Sequence, residues 1–139
     1  MKTLNTTIHE DELFPWDVHT LLANKPEVIL VDVREPHEFE ALHIKGAINI
    51  PCSLLRQQSE GALQQFKAFQ QEIIFTCLAG KRSSRAMHIL RQFGYYAVKS
   101  MKTGIKGWND FELPLQNSQG QAIDADTAEA ILAPMLHAA

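Results

Sequence analysis

The sequence predicts an α/β fold: a parallel sheet with helices on both faces. Three observations carry this. Residues 28–33 (Val-Ile-Leu-Val-Asp-Val) and 73–76 (Ile-Ile-Phe-Thr) are unbroken apolar, mostly β-branched runs, as expected of strands buried on both sides. Segments with helical spacing separate such runs, and strands alternating with helices imply parallel pairing and crossover helices. At 139 residues, 45% hydrophobic and 21% charged, the chain has the size and composition of one soluble domain with its own core.

The elements follow in order. Residues 1–12 are polar and acidic and read as a lead-in. Pro15 suits the first turn of a helix over 15–24, with Val18, Leu21 and Leu22 as its apolar stripe. The strand 28–33 comes next, then a short helix over 36–41. A second strand spans 46–50 and is stopped by Pro51. Ser53 is expected to cap a helical piece running to Gln57. Leu63, Phe66 and Phe69 recur at three-residue spacing and predict another helix. After the strand 73–76, a helix is expected from Ser83, with Ala86, Ile89, Leu90 and Phe93 on one face and Gly94 as its stop. Residues 95–99 read as the last strand. Residues 104–108 read as a glycine-punctuated loop leading to a helical turn. Residues 116–121 are a polar linker, and 124–132 are an Ala-rich helix candidate broken near Pro134. This divides the chain into a lead-in (1–12), a domain (13–116) and a linker with a helical tail (117–139). The tail could dock on the domain, pair two copies as a homodimer, or fray.

A net charge of −3 gives no electrostatic reason to expect nucleic acid or anionic membranes as partners. No apolar run approaches the roughly 18 residues of a membrane span. The first residues form no export signal, so the expected compartment is the reducing cytoplasm. There Cys52 and Cys77, the two cysteines, are not expected to form a structural disulfide. The six histidines show no metal-ligand spacing, and no metal is expected.

Chemistry concentrates at Cys77-Leu78-Ala79-Gly80-Lys81-Arg82-Ser83. A cysteine at a strand end, a short glycine-containing turn and a helix start make an anion cradle around a thiol. Backbone N–H groups aimed at the sulfur favour the thiolate, which is the nucleophilic form. Cys77 is therefore the candidate nucleophile, and the alternative is a small buried hydrophobe. Gly80 permits a backbone turn that a Cβ would penalise. Lys81 adds positive charge at the mouth or is simply solvated. Arg82 can bind an oxyanion with paired N–H groups or brace the loop against a carboxylate. Ser83 and Ser84 are expected to be capping or loop-stabilising hydroxyls. Asp32 sits at a strand C-terminus, where ligand sites gather in such sheets, and can orient Arg34 or the loop. Cys52 is expected to be a buried structural thiol and Trp108 a core lid.

Several segments together resemble the rhodanese (sulfurtransferase) family. They are 31–39 (Val-Asp-Val-Arg-Glu-Pro-His-Glu-Phe), 43–51 (His-Ile-Lys-Gly-Ala-Ile-Asn-Ile-Pro), the loop 77–83, Phe93-Gly94-Tyr95, and Gly104 to Trp108. The resemblance runs in order from residue 15 to 115. It implies a single-domain, three-layer rhodanese-like fold with about five parallel strands and no cofactor. It also implies transfer of a sulfane sulfur from a donor such as thiosulfate, through a persulfide on Cys77, to cyanide or a cellular thiol. Leu78, Ala79, Gly80, Lys81, Arg82 and Ser83 would then line the substrate, with Asp32 and Arg34 in support. Leu78 departs from the pattern, since many sulfurtransferases carry Arg or Gln there, and it makes the mouth less polar. Residues 1–12 and 117–139 have no counterpart in the family. Phosphatases and arsenate reductases with a Cys…Arg loop share the architecture, but their loop encloses five residues where this one encloses four. A non-catalytic binding module is the other alternative. A phosphate-binding P-loop is excluded because Phe75 stands where its upstream glycine belongs.

Overall fold

The computed structural model describes residues 11–57 and 71–138. The helix expected around Leu63, Phe66 and Phe69, and most of the lead-in, lie outside that range. In chain order the elements are β1 (Glu12–Leu13), α1 (Pro15–Asn24), β2 (Ile29–Asp32), α2 (Pro36–Ala41), β3 (Ile48–Asn49) and α3 (Cys52–Gln57). Then come β4 (Ile73–Thr76), α4 (Lys81–Gln92), β5 (Val98–Met101), α5 (Gly104–Asp110), β6 (Leu115–Gln116), β7 (Ala122–Ile123) and α6 (Ala125–Ala138).

Five strands form one sheet in the order β1-β5-β4-β2-β3, and every pairing is parallel. The side-chain period of two along β4 sorts the core. Ile73 and Phe75 join Val31, Val33, Val98, Ala86, Met87 and Leu90 on the face covered by α3 and α4. Ile74 joins Leu30, Val18, Met101, Ile105 and Trp108 on the face covered by α1, α5 and α6. This is the three-layer α/β architecture expected.

Several boundaries differ from the sequence reading, each for a physical reason. The strand expected at 95–99 is Val98–Met101, starting three residues later, and a two-stranded antiparallel sheet, β6 with β7, follows it. The Tyr95 N–H is spent on the Leu90 carbonyl at the end of α4, and Tyr96 is exposed, so the two aromatics belong to the connection. Helix α4 starts at Lys81, not Ser83, because Gly80 itself takes the left-handed N-cap (φ 105°) and its carbonyl accepts the Ser84 N–H. Phe93, at its end, is exposed rather than part of the buried stripe. Helix α3 already begins at Cys52, and the Ser53 hydroxyl donates to Glu35 instead of capping. Residues 104–110 form a helix rather than a loop. The tail helix runs through Pro134. It docks on the domain: Ala128 and Leu132 are buried with Trp108, and the Asn109 amide donates to the Ala125 carbonyl at 3.0 Å. Among the described residues, no helix is long and apolar enough to cross a membrane.

Candidate active site

Cys77 follows β4 directly, at the carboxyl edge of the sheet, where parallel α/β folds place ligand sites. Two contacts fix how the loop turns. The Ile105 N–H donates to the Cys77 carbonyl at 2.8 Å, and the Lys106 N–H donates to the Leu78 carbonyl at 3.0 Å. The first turn of α5 thus holds the loop's carbonyls away from the thiol. Gly104 makes this approach feasible, with φ 59° and no side chain. A Cβ there would stand 2.5 Å from the Leu78 oxygen and collide with the Cys77 oxygen as well.

With the carbonyls turned away, amides face the sulfur. The Gly80 N–H lies 3.1 Å and the Ser83 N–H 3.3 Å from Cys77 Sγ. The Ser83 hydroxyl is 3.5 Å from the same sulfur, 2.8 Å from the Ser100 hydroxyl, and donates to the Gly80 carbonyl at 3.1 Å. Ser83 is therefore a loop-stabilising group in the floor of the cradle. A rotation of its hydroxyl would bring its proton to the sulfur. Cys77 is only 1% exposed and is reached through a cleft of about 290 Å³. Leu78, Ala79, Lys81, Arg82 and Leu136 line the rest of that cleft. Leu78 itself packs into the core on the α5 side of the sheet, so only its edge contributes to the apolar wall it shares with Leu136.

Arg82 braces the loop. Its guanidinium grips Glu38 with two hydrogen bonds, 2.8 and 3.1 Å long. Burial alone would push the Glu38 carboxyl up. The Arg82 hydrogen bond, the Glu35 N–H and the charges of Arg82 and Arg34 outweigh it and hold the group below the ordinary glutamate value. The same hydrogen bonds, donated by Arg82 to Glu38, raise Arg82. Asp32 and Arg34 do not touch the sulfur. They form a fully buried pair, 2.9 Å between Arg34 Nη2 and Asp32 Oδ2, and Nη2 also donates to the Leu42 carbonyl. Arg34 Nη1 finds no partner among the described residues. Its charge acts on Glu38, which makes the pair a support for the brace rather than part of the cradle.

Cys52 is buried in the same cluster as Cys77, and neither is in a disulfide. Its sulfur lies 3.9 Å from the Arg82 carbonyl oxygen. His43 is buried, stacks on Phe39 and bonds the Phe39 carbonyl, a structural role. Among the described residues no cluster of three or more His, Cys, Asp or Glu could hold a metal ion.

Three participants were missed in the sequence. Glu38 announces itself only as the far end of a capping box with Glu35, which the structure shows at the start of α2. Ser100 lies inside a strand and carries no local signal. Leu136 follows Leu132 by one helical turn, but nothing local says that this turn ends at the cleft.

The family model for the rhodanese-like domain matches residues 16–111. The uncharacterized protein YqhL of Bacillus subtilis is 39% identical over 79 residues, covering 57% of this chain and 59% of that protein. The thiosulfate:glutathione sulfurtransferase of Saccharomyces cerevisiae is 32% identical over 94 residues, covering 60% of this chain and 66% of that protein. The chain thus spans less than two thirds of the length of these curated relatives. Among solved structures, a Rhodopseudomonas palustris protein described as a possible tyrosine phosphatase superposes with a TM-score of 0.67 at 26% identity, covering 76% of this chain and 84% of that one.

Proposed function

The chain belongs to the rhodanese-like domain family, and on that premise we propose that it is a sulfurtransferase working through a persulfide on Cys77. The observation that carries this reading is the pair of backbone N–H groups at 3.1 and 3.3 Å from Sγ. They stabilise a thiolate before reaction and an anionic persulfide after it.

In the first half-reaction the Cys77 thiolate attacks the outer sulfur of thiosulfate. A new S–S bond forms on Cys77, the donor's S–S bond breaks, and sulfite leaves with the bonding electrons. In the second, cyanide or a thiolate attacks the outer sulfur and Cys77 departs as thiolate. Neither step changes the net charge, so the site needs only to hold negative charge steadily. A reduced Cys77 is required throughout, which suits the cytoplasm.

Arg82 argues against phosphoryl transfer. A phosphatase uses the arginine closing its loop to grip the phosphate, whereas here that guanidinium is committed to Glu38 by two hydrogen bonds. Mass spectrometry of protein treated with thiosulfate tests the proposal. A gain of one sulfur atom on Cys77, removed by cyanide, is expected. Turnover of p-nitrophenyl phosphate without any persulfide would replace this reading with the phosphatase one.

A further inference from the structure

Beside the Cys77 loop lies a second and larger pocket of about 440 Å³, which Arg82 does not line. Its size falls within the roughly 300–1,000 Å³ of small-molecule sites. Its lining includes Lys81, Arg85 and Lys102, together with Ser84, Thr103 and Glu12.

Three basic side chains without a carboxylate partner among the described residues come together here, whereas Lys25 and Lys45, also without one, line no part of this pocket. Arg34, Arg82, Arg91, Lys99 and Lys106 are each matched with a carboxylate. Lys81, Arg85 and Lys102 have no ion-pair partner among the described residues. Lys102 lies over the Phe14 ring, 4.9 Å from its centroid, a contact that does not neutralise its charge. The single acid, Glu12, accepts a hydrogen bond from the Ser84 hydroxyl at 3.5 Å. Three cations against one carboxylate, in a chain of net charge −3, make a local anion trap.

The backbone at the rim is strained in support of it. Thr103, β-branched, takes φ 62°, a conformation that costs such a residue about 1–3 kcal/mol. Thr103 and its neighbour Lys102 both line the pocket, with Lys81 and Arg85. The pocket also communicates with the sulfur. Ala79 and Lys81 line both it and the Cys77 cleft. Gly80 lines it too, and its N–H is 3.1 Å from Sγ.

We propose that this pocket holds the anionic groups of the sulfur acceptor, a small thiol bearing carboxylates or a phosphate, while its sulfur enters the Cys77 cleft. The proposal rests on the sulfur-transfer reading above. Thiosulfate itself needs far less volume. The acceptor's thiolate attacks the outer sulfur of the Cys77 persulfide, one S–S bond forms on the acceptor, the S–S bond to Cys77 breaks, and Cys77 is released as thiolate.

The test uses the full chain and mercaptosuccinate, a dicarboxylate thiol. Calorimetric titration with its S-methyl derivative, which cannot react, reads the pocket alone. The dianion should bind at least about tenfold more tightly than the corresponding diamide, and Arg85→Gln with Lys102→Gln should remove most of that difference. Rising salt should weaken the dianion selectively. Equal binding of dianion and diamide, or unaltered binding by the variant, overturns the proposal. If circular dichroism shows the double variant misfolded, Arg85→Gln alone, at an exposed position, is measured in its place. In turnover assays the ratio of mercaptosuccinate to 2-mercaptoethanol as acceptors should fall about tenfold in the variant. An equal loss for both acceptors would count against the pocket. Absence of any persulfide on Cys77 would refute the sulfur-transfer reading, and the titration would still judge the pocket.

Discussion

Cys77 and Cys52 share nearly everything except what their sulfur atoms see. Neither is in a disulfide, both are buried in one apolar cluster, and both lie against the first turn of α4. Burial by itself favours the neutral thiol at either place. At Cys77 two N–H groups point at the sulfur, and donors stabilise S⁻. At Cys52 the sulfur instead meets the Arg82 carbonyl oxygen, an acceptor, which stabilises S–H and repels S⁻. The direction of a few peptide dipoles, not exposure, distinguishes the surroundings of the two sulfurs.

The largest expected effect breaks this contrast outright. Cys77→Ser should lower sulfur transfer by at least about 10³-fold, since a hydroxyl in the same cradle stays protonated and is a poor nucleophile. Its far-UV spectrum should be unchanged. Cys52→Ala should retain transfer. Iodoacetamide footprinting of the native protein should label Cys77 alone. Labelling of Cys52 at a comparable rate would show that the dipoles do not discriminate.

The next effect acts on the peptide plane beneath the cradle. Gly104→Ala places a methyl against the Cys77 and Leu78 carbonyls at a left-handed φ, so the loop or α5 must move. A loss of about 2–4 kcal/mol is expected in urea denaturation, with persulfide formation slowed in whatever remains folded. Unchanged persulfide kinetics would mean that the carbonyls need not be held back for the amides to face the sulfur. A smaller loss, about 1–2 kcal/mol, is expected for Cys52→Ala, which leaves a small cavity in the core and removes a weak S–H donor.

How much of this contrast the sequence carries is instructive. Cys77, Gly80 and the strand before them are legible because the signals are local: an apolar run, a thiol and a turn residue. The parallel sheet is legible for the same reason, as four strand-like runs, while the count of five comes from the family resemblance, because β1 (Glu12–Leu13) begins in what reads as a lead-in. Tyr95 and Tyr96 mislead because aromatic β-propensity is outweighed by the hydrogen bond returning the chain to the end of α4. Gly104 is visible as a glycine, but the carbonyls it must clear lie 26 and 27 residues earlier in the chain. Arg82 is legible as a loop-closing cation with two candidate roles, and only its distance to Glu38, 44 residues away, selects bracing. Local chemistry reads from sequence, whereas the choice among partners is made by tertiary contact.

The smallest effect sharpens the comparison through the residue both cysteines share. The Arg82 carbonyl faces Cys52, and the next peptide N–H, that of Ser83, faces Cys77. Glu38 holds the Arg82 side chain, so it steadies both. Glu38→Gln keeps the shape, removes the charge and should cost about 1 kcal/mol at neutral pH, the pair being partly exposed. The sign of the pH dependence follows from the lowered Glu38 carboxyl. A carboxyl held lower in the folded than in the unfolded chain contributes stability above the unfolded value, about pH 4.3. That contribution drains away as pH falls through the lower folded value. The stability difference between the native protein and Glu38→Gln should therefore be full at pH 7 and shrink below about pH 4. Asp11, also held low by Arg91, titrates alike in both proteins and cancels in the difference. Urea midpoints at the two pH values measure it, and a difference that stays constant into acid would mean that Glu38 braces by shape and not by charge. At neutral pH the same variant should bring the alkylation rates of Cys77 and Cys52 closer together by a few-fold, because a loosened Arg82 blurs which dipole each sulfur meets.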